Sequence, residues 1–132
     1  MDVLVDTDVL VEFERDASAT ALHDAIGEQG RAISVITVSE LLHGVHRATG
    51  ARRVRRSAFV EHLLAGLQPI PITEPVARVH ADVWSQLADA GNLIGAHDLW
   101  IAATALAHGL AVATRNRADF DRVPGLHVIT VA

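Results

Sequence analysis

At 132 residues, 50% of them hydrophobic and 20% charged, the chain is long enough to bury one core and too apolar to be disordered. It has no cysteine, which excludes disulfides and thiolate chemistry, and its net charge of −5 excludes a globally basic nucleic-acid binder. All 11 basic residues are arginine, so chemistry that depends on a lysine is excluded too.

The chain opens on Val3-Leu4-Val5-Asp6-Thr7-Asp8-Val9-Leu10, a short β-rich run that stops at a carboxylate. It predicts a buried parallel strand delivering Asp6 to its C-terminal end. A short helix over Val9 to Arg15 follows, with Thr7 or Asp8 as its N-cap. A second helix is expected from about Ser18 to Ile26, closed by Gly27 or Gly30. Ala32 to Val35 reads as the second strand. It leads into Thr37-Val38-Ser39-Glu40, a capping-box pattern, and then Leu41, Leu42 and Val45 at helical spacing.

Gly50 breaks the next helical stretch, and a new helix runs to about Leu64. Gln68 to Ile72 is a short strand carrying Pro69 and Pro71; proline cannot donate to the ladder, so this strand belongs at a sheet edge. Glu74-Pro75 starts a helix with Val76, Val79, Val83, Trp84 and Leu87 as its apolar stripe, ended by Gly91. Asn92 to Ala96 is a loop. Leu99 to Ala107 is apolar nearly all round, which predicts a buried helix behind His97-Asp98, capped by Gly109. Leu110 to Thr114 is the fourth strand, and a last strand lies near Val128 to Val131.

The resulting order, β-α-α-β-α-α-β-α-α-β-β, has strands that are apolar throughout. It predicts a single domain over residues 1–132: a three-layer α/β/α sandwich around a mostly parallel sheet of four to five strands. No apolar run approaches the roughly 18 residues of a membrane span. Met1-Asp2 enters the first strand without a basic leader, so an unprocessed cytoplasmic protein is expected.

Ligands of open α/β sheets bind beyond the C-terminal strand edge. Asp6 and Asp8 reach that edge at the first junction and Glu40 at the second. Asn116, Asp119 and Asp121 reach it after Thr114, and Asp98 at the start of the buried helix. Taken singly, Asp6 or Glu40 reads as a helix cap, Asp98 as a charge favouring its helix dipole, and Asp119 or Asp121 as a solvated loop charge. Their arrival at one edge favours a shared cleft. There several carboxylates would repel one another unless a divalent cation joined them, and all-oxygen ligands suit Mg²⁺ or Mn²⁺. His97 and the pair His43 and His46 lack an evident third ligand for zinc.

These motifs resemble the PIN domain, and in particular the VapC-type toxins of bacterial toxin–antitoxin pairs. The matching stretches are Val5-Asp6-Thr7-Asp8-Val9-Leu10, Ser39-Glu40-Leu41-Leu42-His43-Gly44, Asp98-Leu99-Trp100-Ile101-Ala102-Ala103, Thr114-Arg115-Asn116-Arg117-Ala118-Asp119-Phe120 and Val123-Pro124-Gly125-Leu126. The resemblance implies an endoribonuclease dependent on Mg²⁺ or Mn²⁺, with Asp6 and Asp98 holding the metal and Glu40 supporting them. Asn116 stands where many relatives carry an acid, and Asp119 fills the acidic slot of the Asn-x-x-Asp/Glu-Phe version. A cognate antitoxin and a homodimer are also implied.

Phosphodiester hydrolysis at a metal needs no side-chain nucleophile, which suits a chain without cysteine or a serine-hydrolase elbow. Thr7 and Thr114 are candidate donors to a phosphate or to a metal-bound water. Arg47, Arg52, Arg53, Arg55 and Arg56, five of the 11 arginines, and Arg115 are candidate contacts to RNA or to a partner. Two alternatives remain open. One is a PIN-like binding module with little activity, working through a partner protein. The other is a Mg²⁺-dependent phosphotransfer domain suggested by the strand ending in Asp-x-Asp, although that chemistry usually enlists a lysine.

Overall fold

The first strand is the centre of the molecule. In the computed structural model, which describes residues 2–14 and 18–132, β1 (Val3–Val5) has all three residues buried. It pairs in parallel with β2 (Arg31–Ser34) on one side and β4 (Ala111–Thr114) on the other. β3 (Pro69–Ile70) extends the sheet beyond β2 and β5 (Val128–Thr130) beyond β4, giving the order β3-β2-β1-β4-β5. All of these pairings are parallel. The proline-bearing β3 is an edge strand, as its missing N–H groups require.

Alternation along β1 separates two cores. Val3 and Val5 face one layer and Leu4 faces the other, because successive side chains of a strand point to opposite faces. On the first side lie α1 (Thr7–Phe13), α2 (Ser18–Ile26), α3 (Val35–Arg47) and α4 (Gly50–Ala65), which contribute Val9, Leu10, Leu22, Ile26, Leu41, Val45 and Val60. On the second lie α5 (Glu74–Asp89) and α6 (Ala96–His108), with Val83, Leu87, Leu99, Ile101, Ala102 and Ala105. Phe120, from a short 3₁₀ turn at Phe120–Arg122, closes the second core. The expected α/β/α sandwich is present. Among the described residues no helix is long and apolar enough to cross a membrane.

Several boundaries differ from the sequence expectation. Helix α1 begins at Thr7 rather than Val9, because Asp6 itself is the N-cap and accepts the Thr7 N–H at 2.8 Å. Neither Thr7 nor Asp8 caps it. Arg15, the expected end of that helix, lies outside the described residues. The cap of α3 is Ser34, whose hydroxyl accepts the Ile36 N–H at 3.0 Å. Thr37 and Glu40 are therefore interior helix residues and not a capping box, which releases the Glu40 carboxylate for other contacts. In α5 the buried stripe is Val76, His80, Val83 and Leu87, while Trp84 is 54% exposed. His80 takes the inward place because its ring stacks on Trp100 of α6 at 3.5 Å between centroids. Gly109 ends α6 at φ 66°, a left-handed C-cap that costs a glycine little.

Candidate active site at the C-terminal edge of the sheet

The chain runs from β1 through β2 to β3 in one direction, and β4 lies on the other side of β1. The crevice beyond the ends of β1 and β4 is therefore the switch point of the sheet, where ligands of parallel α/β folds bind. It opens as a cleft of about 400 Å³ lined by Asp6, Thr7, Asp8, Val11, Glu12, Glu40, Asp98, Arg115 and Asn116. Residues distant in sequence meet here because β1, α3, α6 and the segment after β4 all end or begin at this edge.

Asp6 is only 7% exposed and both of its oxygens are engaged. Oδ1 accepts the Thr7 N–H, and Oδ2 accepts the Thr114 hydroxyl at 2.8 Å. Its carboxyl is nevertheless pushed up to about 7, first by burial and then by the adjacent Asp8, with Glu40 adding to the effect and the two hydrogen bonds opposing it. Asp98, in the first turn of α6, is also raised to about 7. Burial is again the largest cause, followed by a carboxyl–carboxyl hydrogen bond with Asp119 and the charges of Asp6, Asp119 and Glu40. Each of the two acids thus resists ionisation first because it is withdrawn from water and then because of its acidic neighbours.

Glu40 is fixed from two directions. The Thr7 hydroxyl donates to its Oε1 at 2.7 Å and lies 3.0 Å from the hydroxyl of the buried Thr37. Its Oε2 stands 3.3 Å from His97 Nδ1. The sequence singles out His97 as the neighbour of Asp98 and as a zinc candidate without a third ligand, and a contact across 57 positions leaves no local signal of its own. The sequence offers Thr7 and Thr114 as candidate donors to a phosphate or to a metal-bound water. In the fold their hydroxyls are directed at carboxylates, and Thr114 is fully buried. Thr114 also lies 3.4 Å from Asp8 Oδ2 and accepts the Asn116 N–H at 3.1 Å.

Asn116 lines the cleft, and its side-chain oxygen accepts the Ala118 N–H at 3.4 Å. Asp119 is the residue that approaches Asp98, and its Oδ2 accepts the N–H of Gly95, the residue before α6, at 3.3 Å. Asp8, a first-turn residue of α1, reaches the cleft as well and accepts the Arg115 N–H at 3.2 Å. Asp121 is turned away in an exposed pair with Arg117.

The arginines divide into two groups. Arg115 is tied to Glu12 at 3.1 Å on the cleft wall, and Arg56 to Glu14 at 3.3 Å. Arg47, Arg52, Arg53 and Arg55 are exposed around the α3–α4 turn, with Arg53 lying 3.3 Å from His46 Nδ1. The cleft does not gather this second group.

Among the described residues, no group of three His, Cys, Asp or Glu side chains forms a ready-made metal cage. The donor chemistry still fits one class of ion. Among the described residues the cleft offers several carboxylates, that of Asp6 buried, and no sulfur, and Mg²⁺ characteristically takes one or two carboxylates while keeping several waters. A cation between Asp6 and Asp98 would also favour their ionised forms against the burial and the neighbouring charges that raise both acids to about 7.

Comparison with known proteins agrees with this geometry. The PIN domain model matches residues 3–126. Ribonuclease VapC1 of Rickettsia felis is 33% identical over 133 aligned residues, covering 100% of this chain and 98% of the relative. VapBC-5 of Mycobacterium tuberculosis, a member of the VapBC family of toxin–antitoxin systems, superposes with a TM-score of 0.83 at 30% identity, covering 98% of each chain. The DNA-bound VapBC2 structure of Rickettsia felis shares the fold with a TM-score of 0.88 at 24% identity, covering 100% of each chain. With a sheet of this order, acids at this edge and matches over nearly its whole length, the chain belongs to the PIN domain family, in its VapC group.

Proposed function

We propose that this protein is a divalent-metal-dependent endoribonuclease, the toxin of a toxin–antitoxin pair acting in the cytoplasm. The observation that carries the proposal is the convergence of Asp6, Asp8, Glu40, Asp98 and Asn116 on one open cleft, with Asp6 buried and Asp98 half-buried. The naming of a full-length relative as a ribonuclease supports it.

Asp6 and Asp98 would hold Mg²⁺ or Mn²⁺. Such an ion supplies Lewis-acid stabilisation of the phosphate and lowers the pKa of a bound water. The remaining work falls to the chain itself. Among the described residues, the hydroxyls beside the cleft, those of Thr7 and Thr114, donate to Glu40 and Asp6 and are not free to attack. Water is therefore the nucleophile, and Glu40, held in place by Thr7, is the carboxylate positioned to accept its proton. Asp119 steadies Asp98 at the start of α6. The segment from Thr114 to Asn116 closes the cleft beside Asp6.

Arg52 and Arg53 lie in the first turn of α4, where the helix dipole disfavours cations, and Arg55 in the next turn. Their placement suits a contact with RNA phosphates or with acids of an antitoxin. An antitoxin partner is supported by the family of complexes to which VapBC-5 belongs. A second copy of the chain would find apolar surface at Trp84 and Leu93, each 54% exposed.

The test is cleavage of structured RNAs by the wild type, Asp6→Ala and Asp98→Ala with Mg²⁺, Mn²⁺ or EDTA. Cleavage only by the wild type with metal is expected. Cleavage that survives EDTA or either substitution contradicts the proposal, and a wild type that binds its partner but cuts no RNA points to a binding module.

A further inference from the structure

The acidic cleft has a neighbour whose lining is of a different kind. Ser39, Glu40 and His43 share one face of α3, and with Thr7 and His97 they line an open hollow of about 450 Å³. That volume lies within the range of roughly 300–1,000 Å³ typical of small-molecule sites. The hollow shares Thr7 and Glu40 with the acidic cleft, so Glu40 stands as the partition between them. His97 Nδ1 sits 3.3 Å from Glu40 Oε2 with 60% of its side chain exposed, and His43 is exposed one turn beyond Glu40. Neither imidazole belongs to the cores described above.

Resting on the nuclease reading above, we propose that this hollow seats the nucleotide flanking the scissile phosphate, with its base held against the rings of His43 and His97. A polyanionic strand lying in the acidic cleft must leave it past one of two walls. One wall carries Asp8 and the Glu12–Arg115 pair, whose arginine charge is already compensated. The other carries two imidazoles and the Ser39 hydroxyl and, among the described residues, no carboxylate beyond Glu40. Imidazole offers a flat face for an unstacked base and an N–H for its edge or its phosphate, the combination by which single-stranded RNA is commonly held. The exposed arginines of α4 then lie further along the same strand and are not required at the point of cleavage.

The experiment uses the full chain with Mg²⁺ and a short single-stranded RNA that the wild type cleaves, compared with the same RNA shortened on either side of the cut. The variants are His43→Ala, His97→Ala and the double substitution, with His97→Phe to keep a stacking face. His43→Ala, which leaves the Glu40 contact with His97 in place, is expected to raise KM while kcat stays within about twofold, and the double variant to raise KM about tenfold. The double variant should also lose the sensitivity to shortening on one side that the wild type shows, and His97→Phe should recover part of the affinity. An unchanged KM, or undiminished sensitivity to shortening, overturns the proposal. A fall in kcat at constant KM also overturns it, because His97 would then act by supporting Glu40. A wild type that cuts no RNA rejects the nuclease reading itself, and this proposal with it, before any variant is compared.

Discussion

The Thr114 hydroxyl donates to Asp6 Oδ2 at 2.8 Å, joining the ends of two adjacent strands across 108 positions of sequence. This bond lowers the pKa of a carboxyl that burial and Asp8 raise. Thr114→Val keeps the shape and removes the donor, leaving a buried carboxylate oxygen without its partner. We expect a loss of about 1–3 kcal/mol in urea denaturation. The acid limb of the pH–rate profile should move to higher pH, and Thr114→Ser should restore both.

Asp6 and Asp98 are raised from 3.8 to about 7 in the fold, so the folded chain binds more protons than the unfolded chain between roughly pH 4 and 7. Stability therefore falls as pH rises through that window, and the whole cost is present above it. Asp6→Asn removes the charge while preserving the cap of α1, since asparagine caps as well as aspartate. We expect its Tm to exceed that of the wild type by on the order of 5 °C at pH 8, without added metal, and to equal it near pH 4. Equal Tm values at pH 8 would contradict the pKa assignment.

Asp119, not Asn116, is the residue that meets Asp98. Asp119→Asn should lower the pKa of Asp98 by removing a neighbouring charge, which moves the acid limb of activity to lower pH. Asn116→Ala removes only a long hydrogen bond to Ala118 N–H, 3.4 Å, and should change kcat/KM by less than about threefold. Measured side by side, the pair decides which residue completes the site.

Replacing Arg52, Arg53 and Arg55 by alanine should leave the fold intact or slightly firmer, because a cation in the first turn of a helix, as at Arg52 and Arg53, costs about 0.3–1 kcal/mol. If these side chains touch RNA, KM rises and its dependence on salt flattens by about 0.7 for each phosphate they no longer neutralise. A KM and a salt slope equal to those of the wild type would assign the cluster to the protein partner.

Much of this architecture was legible in the sequence because it rests on local signals. Val3-Leu4-Val5 and Ala111-Val112-Ala113 are buried on both faces and read as continuous apolar runs, and Pro69 with Pro71 marked the edge strand. The convergence of Asp6, Glu40 and Asp98 followed from parallel topology alone. What the pattern concealed were contacts between distant segments. Thr37 and Glu40 mimic a capping box at the correct spacing, and only the Ser34 cap exposes the mimicry. Trp84 and His80 are four residues apart on one helix, and the Trp100 ring 16 positions beyond Trp84 decides which turns inward. The His97–Glu40 contact depends on α3 meeting α6 and had no periodicity to reveal it.

The central claim is that carboxylates from separate segments form one divalent-cation site, and calorimetric titration of the metal-free protein with Mn²⁺ near pH 6.5 tests it most directly. Because Asp6 and Asp98 titrate near 7, binding should release protons, visible as a heat that changes with the ionisation enthalpy of the buffer. Asp6→Asn and Asp98→Asn should each abolish binding and proton release together. Mn²⁺ binding that neither substitution weakens, or a wild type that binds no Mn²⁺ yet cleaves RNA, would contradict the account.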